Sequence, residues 1–242
     1  MELRELVKRA GRRAGVEMTS WPLGAPAYAL YRALVEPDPD VIIDGGANTG
    51  QFARECRAFG YDKHIISFEP GREAYAHLQR TARDDPRWST ARMALSNEAG
   101  TATLFTTDNG GLSSSLVPML DSHRRAAPEV HVTGREDVAV TTLDESVADT
   151  PHRRIALKLD TQGTEAAILD GARATLPRIH SIRLECSLLP LYEDEWLWHD
   201  VGVWMQDHGF RLAGVAPGFA SRQTGVQQQI DAVFVRNRDT GD

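Results

Sequence analysis

The stretch from Val41 to Phe52, "VIIDGGANTGQF", runs three β-branched residues into an aspartate and then places three glycines within six positions. The β-branched run predicts a fully buried strand that ends at Asp44. Gly45 and Gly46 allow the backbone to turn sharply after that strand, and Gly50 allows the next helix to pack closely on it. A strand, a glycine turn and a helix N-terminus in this order predict a site for a nucleotide-like ligand.

Strand-like and helix-like segments alternate on both sides of this stretch. The segments "HIISFEP", "STARMALS", "RIALKLDTQG" and "IHSIRLECS" predict further strands, and amphipathic helical patterns lie between most of them. This alternation predicts an α/β fold with a largely parallel sheet and helices on both faces. The closing segments "FRLAGV" and "QQIDAVFV" have no helix between them and are expected to pair antiparallel.

Two regions stand apart from the alternating pattern. We expect residues 1–40 to form a helical extension that carries a basic face, and residues 41–242 to form the main domain. Residues 97–153 are an insert between the third and fourth strands. It contains two short strand patterns around the polar loop "DNGGLSSSLV", which favours a hairpin and a lid.

Composition narrows the class of protein. The chain has 242 residues, 41% of them hydrophobic and 25% charged, which is typical of one soluble globular domain. A formal net charge of −7 argues against a general nucleic-acid binder. Two cysteines, Cys56 and Cys186, are too few for a disulfide framework, and no segment approaches the ~20 apolar residues of a membrane span. The charged N-terminal segment lacks the apolar core of a signal peptide, so we expect a cytoplasmic protein with no stable membrane insertion.

Two acids at neighbouring strand ends indicate the ligand. Asp44 would repel a phosphate but attract an ammonium or sulfonium cation. Glu69 lies 25 residues later, at the end of the second strand, where a carboxylate can accept both hydroxyls of a ribose. A ligand with a ribose and a cationic amino-acid end is S-adenosylmethionine. The alternative roles are a helix N-cap for Asp44 and an exposed carboxylate for Glu69.

Several segments spread along the chain resemble those of a known family. The segments "VIIDGGANTGQF", "ISFEP", "MALSNEAG", "ALKLDTQGTEAAILDGA", "IRLECSLLPLYEDE" and "QIDAVFV" together resemble the FkbM-type S-adenosylmethionine-dependent methyltransferases. The resemblance implies a class I methyltransferase fold, with a Rossmann-like mixed seven-stranded sheet, a C-terminal antiparallel hairpin and the insert already noted. It implies O-methylation of a hydroxyl on a sugar, glycolipid or secondary metabolite, as in natural-product biosynthesis. It implies that Asp44, Gly46, Asn48 and Gly50 line the methionine end of the cofactor, Glu69 the ribose, and Leu95 and Ser96 the adenine side. Our further cofactor candidates are Gly45, Ala47, Pro70 and Asp160.

Methyl transfer to an alcohol needs help in removing the hydroxyl proton, and three further acids lie where that help is expected. Asp160 ends the fourth strand, Glu165 begins the following helix, and Glu185 ends the fifth strand. Asp160 and Glu185 are our catalytic candidates, and the three acids together are candidates for a Mg²⁺ site. The alternatives are a dipole-favoured first-turn residue for Glu165 and a buried pair with Lys158 or Arg183 for Glu185.

Two other groups of residues are secondary candidates. His131, in the insert, is a reserve catalytic base, and His123 is another. Tyr192, Trp196 and Trp198 could form an apolar wall for the acceptor or could simply pack the following helix.

Two other functions compete with methyl transfer. The stretch Gly45-x-Ala47-x-x-Gly50 is one substitution from a dinucleotide fingerprint, so an NAD(P)-dependent oxidoreductase is one alternative. A non-catalytic nucleotide-binding scaffold is another. As partners we expect a small-molecule hydroxyl acceptor, no nucleic acid, and a homodimer formed through the N-terminal helices.

Overall fold

The computed structural model describes residues 26–237. Its seven-stranded main sheet comprises β1 (Val41–Gly45), β2 (His64–Phe68), β3 (Trp88–Ala91), β7 (Ile155–Leu159), β8 (Ile179–Ser187), β9 (Phe210–Pro217) and β10 (Gln229–Arg236). A second, three-stranded sheet comprises β4 (Ala94–Ser96), β5 (Gly100–Thr107) and β6 (Val132–Thr142). The helices are α1 (Pro26–Val35), α2 (Gln51–Ala58), α3 (Arg72–Ala82), α4 (Asp121–Ala126), α5 (Leu143–Ser146), α6 (Glu165–Asp170) and α7 (Trp198–Asp207).

The main sheet has the order β3-β2-β1-β7-β8-β10-β9. The pairs from β3 to β8 are parallel, whereas β10 runs antiparallel to both β8 and β9. The strand order reverses between β1 and β7, and the carboxyl ends of strands at such a point form a ligand crevice in open α/β sheets. The predicted parallel sheet and the antiparallel pair of closing strands are therefore confirmed.

Helices cover both faces of the main sheet, as the buried strands require. All five residues of β1 and all five of β7 are buried. Ile42 and Ala156 point to the face covered by α1, α2 and α3, and Ile43 and Leu157 point to the face covered by α6 and α7. This alternation follows from the two-residue period of a strand. Both cysteines are buried free thiols, as expected.

The prediction of a single third strand is wrong. "STARMALS" is divided into β3, at the edge of the main sheet, and β4, which pairs with β6 in the second sheet. One of the helical patterns between the predicted strands, with Ile168, Leu169, Ala172 and Leu176 on one side, is also interrupted, because α6 ends at Asp170 and a 3₁₀ turn begins at Leu176. Hydrophobic spacing persists through both breaks because the residues on either side still pack into the core.

The insert is more structured than a hairpin and a loop. β5 and β6 pair antiparallel, and β6 also pairs in parallel with β4. Ala94, Leu104, Val138 and Val140 give this second sheet a small apolar cluster of its own. The connecting residues 108–131 include α4 and lie against the loop after β8, where Leu120 N–H donates to the carbonyl of Leu191 at 2.8 Å.

The N-terminal extension is described only in part. Residues 26–35 form the helix α1, which buries Leu30, Tyr31 and Leu34 against the chain's own sheet. The basic helix face predicted further upstream lies outside the described residues, so the dimer through the N-terminal helices stays a prediction. Within residues 26–237, no helix is both long enough and apolar enough to cross a bilayer.

Candidate active site

The glycine turn after β1 is pressed against the loop that follows β7. Gly46 has φ +71°, and a Cβ placed on it would lie 1.9 Å from the carbonyl oxygen of Asp160. Its N–H and that of Ala47 both donate to the carbonyl of Phe68 at 3.0 Å. The turn therefore needs glycine for two reasons, a left-handed backbone and a close approach of two chain segments. Gly50, with φ +89°, brings α2 close to the ring of Trp88.

Asp44 lies beneath this turn and is completely buried. Its Oδ1 lies 3.0 Å from Nζ of Lys158, and its Oδ2 accepts a hydrogen bond from Ser67 Oγ at 3.1 Å. Lys158 Nζ also donates to the carbonyl of Gly46 at 2.9 Å. Despite burial, the negative charge of Asp44 raises the pKa of Lys158. The pair stabilises the turn from below, whereas the predicted contact of Asp44 with a bound cation stays a prediction.

Glu69 follows β2 and faces the crevice. Its Oε2 accepts the N–H of Asn48 at 2.8 Å, and its Oε1 accepts the N–H of Gly71 at 2.7 Å. Burial raises the pKa of Glu69 to about 7, and the two N–H donors oppose that rise. The carboxylate therefore titrates near neutral pH at the position predicted for a ribose.

The turn, the β2 end and the insert enclose a cleft with about 600 Å³ of empty space. The predicted cofactor residues in its wall are Gly46, Asn48, Glu69, Pro70, Leu95 and Asp160. Phe68, Met93, Leu104 and Leu116 add an apolar side suited to a flat base.

The remaining predicted cofactor residues lie outside the lining of the cleft. Asp44, Gly45 and Ala47 are buried behind the turn, and Gly50 begins α2. Ser96 ends β4, and its hydroxyl donates to Asn97 Oδ1 at 3.2 Å. Their assignment as cofactor residues stays a prediction.

The insert loop closes one side of the cleft. Gly111, Ser114, Ser115 and Leu116 line it, and Asn48 Nδ2 donates to the carbonyl of Gly110 at 2.9 Å. The polar, glycine-rich composition of this loop was the signal for a lid, but it did not identify which residues reach the cleft. Gln162 also lines the cleft, and no sequence pattern singled it out.

The two predicted catalytic acids come together at the ends of β7 and β8. The Asp160 side chain is 45% exposed and lines the cleft. Gln162 Nε2 donates to Asp160 Oδ1 and to Glu185 Oε2, at 2.8 Å each. Burial, together with the nearby charges of Asp160 and Asp231, raises the pKa of Glu185 well above its usual value.

Glu165 is engaged by the loop that precedes its helix. Its Oε1 accepts the N–H and the hydroxyl of Thr161, at 2.8 and 2.9 Å, and its Oε2 accepts the N–H of Gly163 at 3.0 Å. These contacts agree with the alternative considered for Glu165, a residue of the first helical turn that stabilises the start of the helix. Among the described residues, no group of three or more His, Cys, Asp or Glu side chains is placed to hold a metal ion. Asp160, Glu165 and Glu185 consequently do not form the octahedral oxygen site that Mg²⁺ requires.

The histidine candidates lie apart from the acids. His131 directly precedes β6, its side chain is 65% exposed, and its Nδ1 lies 2.9 Å from Asp108 Oδ2. It is not among the residues that line the cleft. His123 is buried between the rings of Tyr192 and Phe219, and burial lowers its pKa. A catalytic role for His131 stays a prediction that these contacts do not favour.

The three aromatic residues after β8 have separate positions. Tyr192 is buried, and its hydroxyl donates to Gln162 Oε1 at 2.7 Å. The ring of Trp196 packs against Trp204, and that of Trp198 against Phe234. Among these contacts, only that of Tyr192 is with a residue of the cleft wall, Gln162. The two tryptophans pack against other aromatic rings, which was the alternative role considered for them.

The strand order, the glycine turn and the acid after β2 define a class I S-adenosylmethionine-dependent methyltransferase. The chain belongs to the FkbM methyltransferase family, since the model of the Methyltransferase FkbM domain matches residues 44–212. The chain is 27% identical over 172 residues to the 2-O-methyltransferase NoeI of Sinorhizobium fredii, and the match covers 69% of this chain and 70% of that protein.

Solved structures show similarity at lower identity. A candidate tRNA methyltransferase of Streptococcus pneumoniae, solved with S-adenosyl-L-methionine, is 11% identical with a TM-score of 0.49, covering 86% of this chain and 72% of that one. The precorrin-6y C5,15-methyltransferase of Geobacter metallireducens is 12% identical with a TM-score of 0.47, covering 91% and 94%. At TM-scores below 0.5, these similarities assign no substrate to this chain.

Proposed function

We propose that this methyltransferase acts on oxygen, and that its acceptor is a hydroxyl of a sugar, a glycolipid or a secondary metabolite. The observation that carries the proposal is the half-exposed carboxylate of Asp160 in the wall of the cleft, beside the glycine turn. An aliphatic alcohol is a poor nucleophile near neutral pH and needs a base of this kind, whereas an unprotonated amine does not. The name of the relative, a 2-O-methyltransferase, supports oxygen as the acceptor atom.

The wall residues fit S-adenosylmethionine, which supplies an electrophilic methyl group on a sulfonium. In this proposal the turn from Asp44 to Gly50 borders the methionine end, and Glu69 accepts the ribose hydroxyls. Pro70, Leu95 and Ser96 lie on the adenine side. The acidic wall residues Glu69 and Asp160 favour a cationic nucleoside over a dinucleotide phosphate.

Asp160 takes the proton. As the bond between the acceptor oxygen and the methyl carbon forms, the bond between that carbon and sulfur breaks and the hydroxyl proton moves to Asp160. Its Oδ1 is engaged by Gln162, and its Oδ2 lies 3.9 Å from Lys158 Nζ, beyond hydrogen-bonding distance. We therefore assign the transfer to Oδ2. The acceptor must approach within about 3 Å of the methyl group and opposite to sulfur.

The test is an acceptor panel with S-adenosylmethionine. Sugars, glycolipids and polyketide alcohols are incubated beside matched amines, thiols and RNA, and products are analysed by mass spectrometry for the gain of one CH₂. The proposal predicts methylation of a hydroxyl compound. Products from the amine, thiol or RNA arms alone would overturn it.

Asp160→Asn tests the role of the base. This variant keeps the size of the side chain and its contact with Gln162, so we expect binding of S-adenosylhomocysteine within about twofold of wild type and turnover lower by about 10²-fold or more. Asp144→Asn is the matched control, because that carboxylate accepts the backbone N–H groups of Ala174 and Thr175 and does not line the cleft. Unchanged turnover in Asp160→Asn would remove this residue from the reaction.

A further inference from the structure

One side-chain network links the two acids to the insert. The amide of Gln162 donates to Asp160 and Glu185, and its carbonyl oxygen accepts the hydroxyl of Tyr192 at 2.7 Å. The backbone carbonyl of Gln162 accepts Ser115 Oγ from the insert at 2.6 Å. Gln162 is buried, with 8% of its surface exposed, although it lines the cleft.

The neighbours determine the orientation of the Gln162 amide. Carboxylate oxygens only accept hydrogen bonds, so the two N–H groups must face Asp160 and Glu185. The amide oxygen then faces Tyr192, whose phenol supplies the matching donor. Both N–H donors and the carbonyl are thereby used, and the two contacted carboxylate oxygens carry no proton. A buried polar network in which every member has a partner holds its groups in one arrangement.

The backbone at this position is held in an uncommon conformation. Gln162 has φ +58°, in the left-handed region that crowds the Cβ of any residue other than glycine. Gly163 follows with φ +99°, and a Cβ on it would lie 2.8 Å from Cβ of Tyr192. Such conformations persist where surrounding contacts enforce them, and they are concentrated at functional sites. Ser115 and Tyr192 provide those contacts here.

We propose that Gln162 is a positioning residue that holds Asp160 and Glu185 as a pair sharing one proton, and that Tyr192 and Ser115 keep its amide in place. The proposal rests on the function proposed above, because the pair matters for catalysis only when a proton must be removed from the acceptor. Gln162 touches neither the transferred methyl group nor the acceptor in this scheme.

The charges explain why one proton is enough. Two ionised carboxylates that share a single NH₂ group repel each other at short distance, so one of them keeps its proton. Burial disfavours the ionised form of Glu185 and raises its pKa, so the proton of the pair resides on Glu185. An N–H donor stabilises an ionised carboxylate, so its removal must raise the pH at which the pair releases its proton.

Two variants test this arrangement. Gln162→Met keeps the length of the side chain and removes both N–H donors together with the amide oxygen. Tyr192→Phe leaves the amide in place and removes the hydroxyl that orients it, which also lies 3.2 Å from the carbonyl of Ser113 in the insert. Tyr61→Phe is the matched control, because Tyr61 is also buried and donates to a backbone carbonyl, that of Pro39, away from the cleft.

The readouts separate positioning from folding. We expect kcat to fall at least about tenfold in Gln162→Met and less in Tyr192→Phe, with KM and the affinity for S-adenosylhomocysteine within about twofold of wild type. The acid limb of the kcat profile should move by about one pH unit toward higher pH in Gln162→Met. Tyr61→Phe should leave the profile in place. A fall in kcat that is accompanied by a loss of stability, with the pH dependence of kcat unchanged, would show that Gln162 is only a structural residue and would overturn the proposal.

An acceptor-free measurement distinguishes this proposal from the proposed function. The carboxyl carbon of Glu185, assigned with Glu185→Gln, is titrated by carbon-13 NMR in the complex with S-adenosylhomocysteine. Gln162→Met should titrate at higher pH than wild type, and identical titration curves would overturn the positioning role. Failure of O-methylation would appear only in the acceptor panel.

Discussion

A single methyl group added to the turn after β1 tests the geometry of the cleft. Gly46→Ala meets two obstacles, a φ of +71° and a carbonyl oxygen of Asp160 only 1.9 Å from the new Cβ. Gly225→Ala is a matched control. Gly225 has the same φ of +71° and lies in the loop between β9 and β10, where a new Cβ would meet nothing within 4 Å beyond its chain neighbours.

The structure separates the two costs. The left-handed backbone costs an alanine about 1–2 kcal/mol, and both variants bear this cost. Only Gly46→Ala also suffers overlap, which adds about 1–3 kcal/mol when a core must rearrange. We therefore expect Gly46→Ala to lose about 1–3 kcal/mol more free energy of unfolding than Gly225→Ala.

The overlap also displaces functional groups. Real Cβ atoms essentially never lie within 3.0 Å of such neighbours, so the turn and the Asp160 backbone must separate by about 1 Å. A misplacement of about 1 Å can cost roughly 10²-fold in rate. Gly225→Ala should retain wild-type turnover, since Gly225 does not line the cleft.

Urea denaturation gives the difference in stability, and calorimetric titration with S-adenosylhomocysteine together with turnover gives the functional difference. Equal losses of stability in the two variants would refute the close approach of the turn to Asp160. Normal turnover in a folded Gly46→Ala would refute the view that this approach positions the reacting groups.

Three further outcomes follow from the charged groups. Lys158→Met leaves Asp44 buried without its partner and should lower the free energy of unfolding, measured by urea denaturation, by about 3–5 kcal/mol. The double variant Asp44→Asn with Lys158→Met should recover most of that loss, and purely additive losses would contradict the pairing. Because burial raises the pKa of Glu69 to about 7, its ionised fraction grows as pH rises from 6 to 8. Calorimetry should then show S-adenosylhomocysteine binding about tenfold more tightly at pH 8 than at pH 6, and Glu69→Gln should abolish this pH dependence. An affinity of the wild-type protein that does not change with pH would argue against ribose binding by the carboxylate. Full turnover is expected in excess chelator, because Glu165 bonds the loop before its helix and Gln162 lies between the other two acids. Loss of turnover that Mg²⁺ restores would contradict this.

Local pattern was sufficient for the elements nearest the cofactor. The buried run of β1, the glycine turn and the acid after β2 follow one another along the chain, and each is specified by hydrophobic period or by glycine's conformational freedom. These features located the crevice and six of the residues in its wall.

Long-range pairing was not accessible in the same way. Lys158 lies directly opposite Asp44 because β7 pairs with β1 in that register, and a single sequence does not reveal which strands are neighbours. Its own pattern indicated only that Lys158 and Asp160 share a face. This pairing matters for function because Lys158 balances the charge of Asp44. The position of Asp44 in the sequence did not indicate that partner.

Gln162 illustrates a second limit. Its importance depends on a positive φ that non-glycine residues rarely adopt, and on Tyr192, which is 30 residues away in the chain. Neither property has a local signature, because the conformation is enforced by tertiary contacts with the insert. A buried glutamine between two carboxylates becomes visible only when β7, β8 and the insert are assembled.

The distribution of charge in the assembled site bears on the direction of the proposed reaction. Lys158 neutralises Asp44 from below, whereas Glu69 and Asp160 face the cleft without a cation at hydrogen-bonding distance among the described residues. Their field favours a sulfonium, which is positive, over the neutral thioether that remains after methyl transfer. The same acids that would bind the cofactor would therefore hold its product less tightly. On this view the buried pair shapes the turn, and the two acids that face the cleft discriminate between cofactor and product.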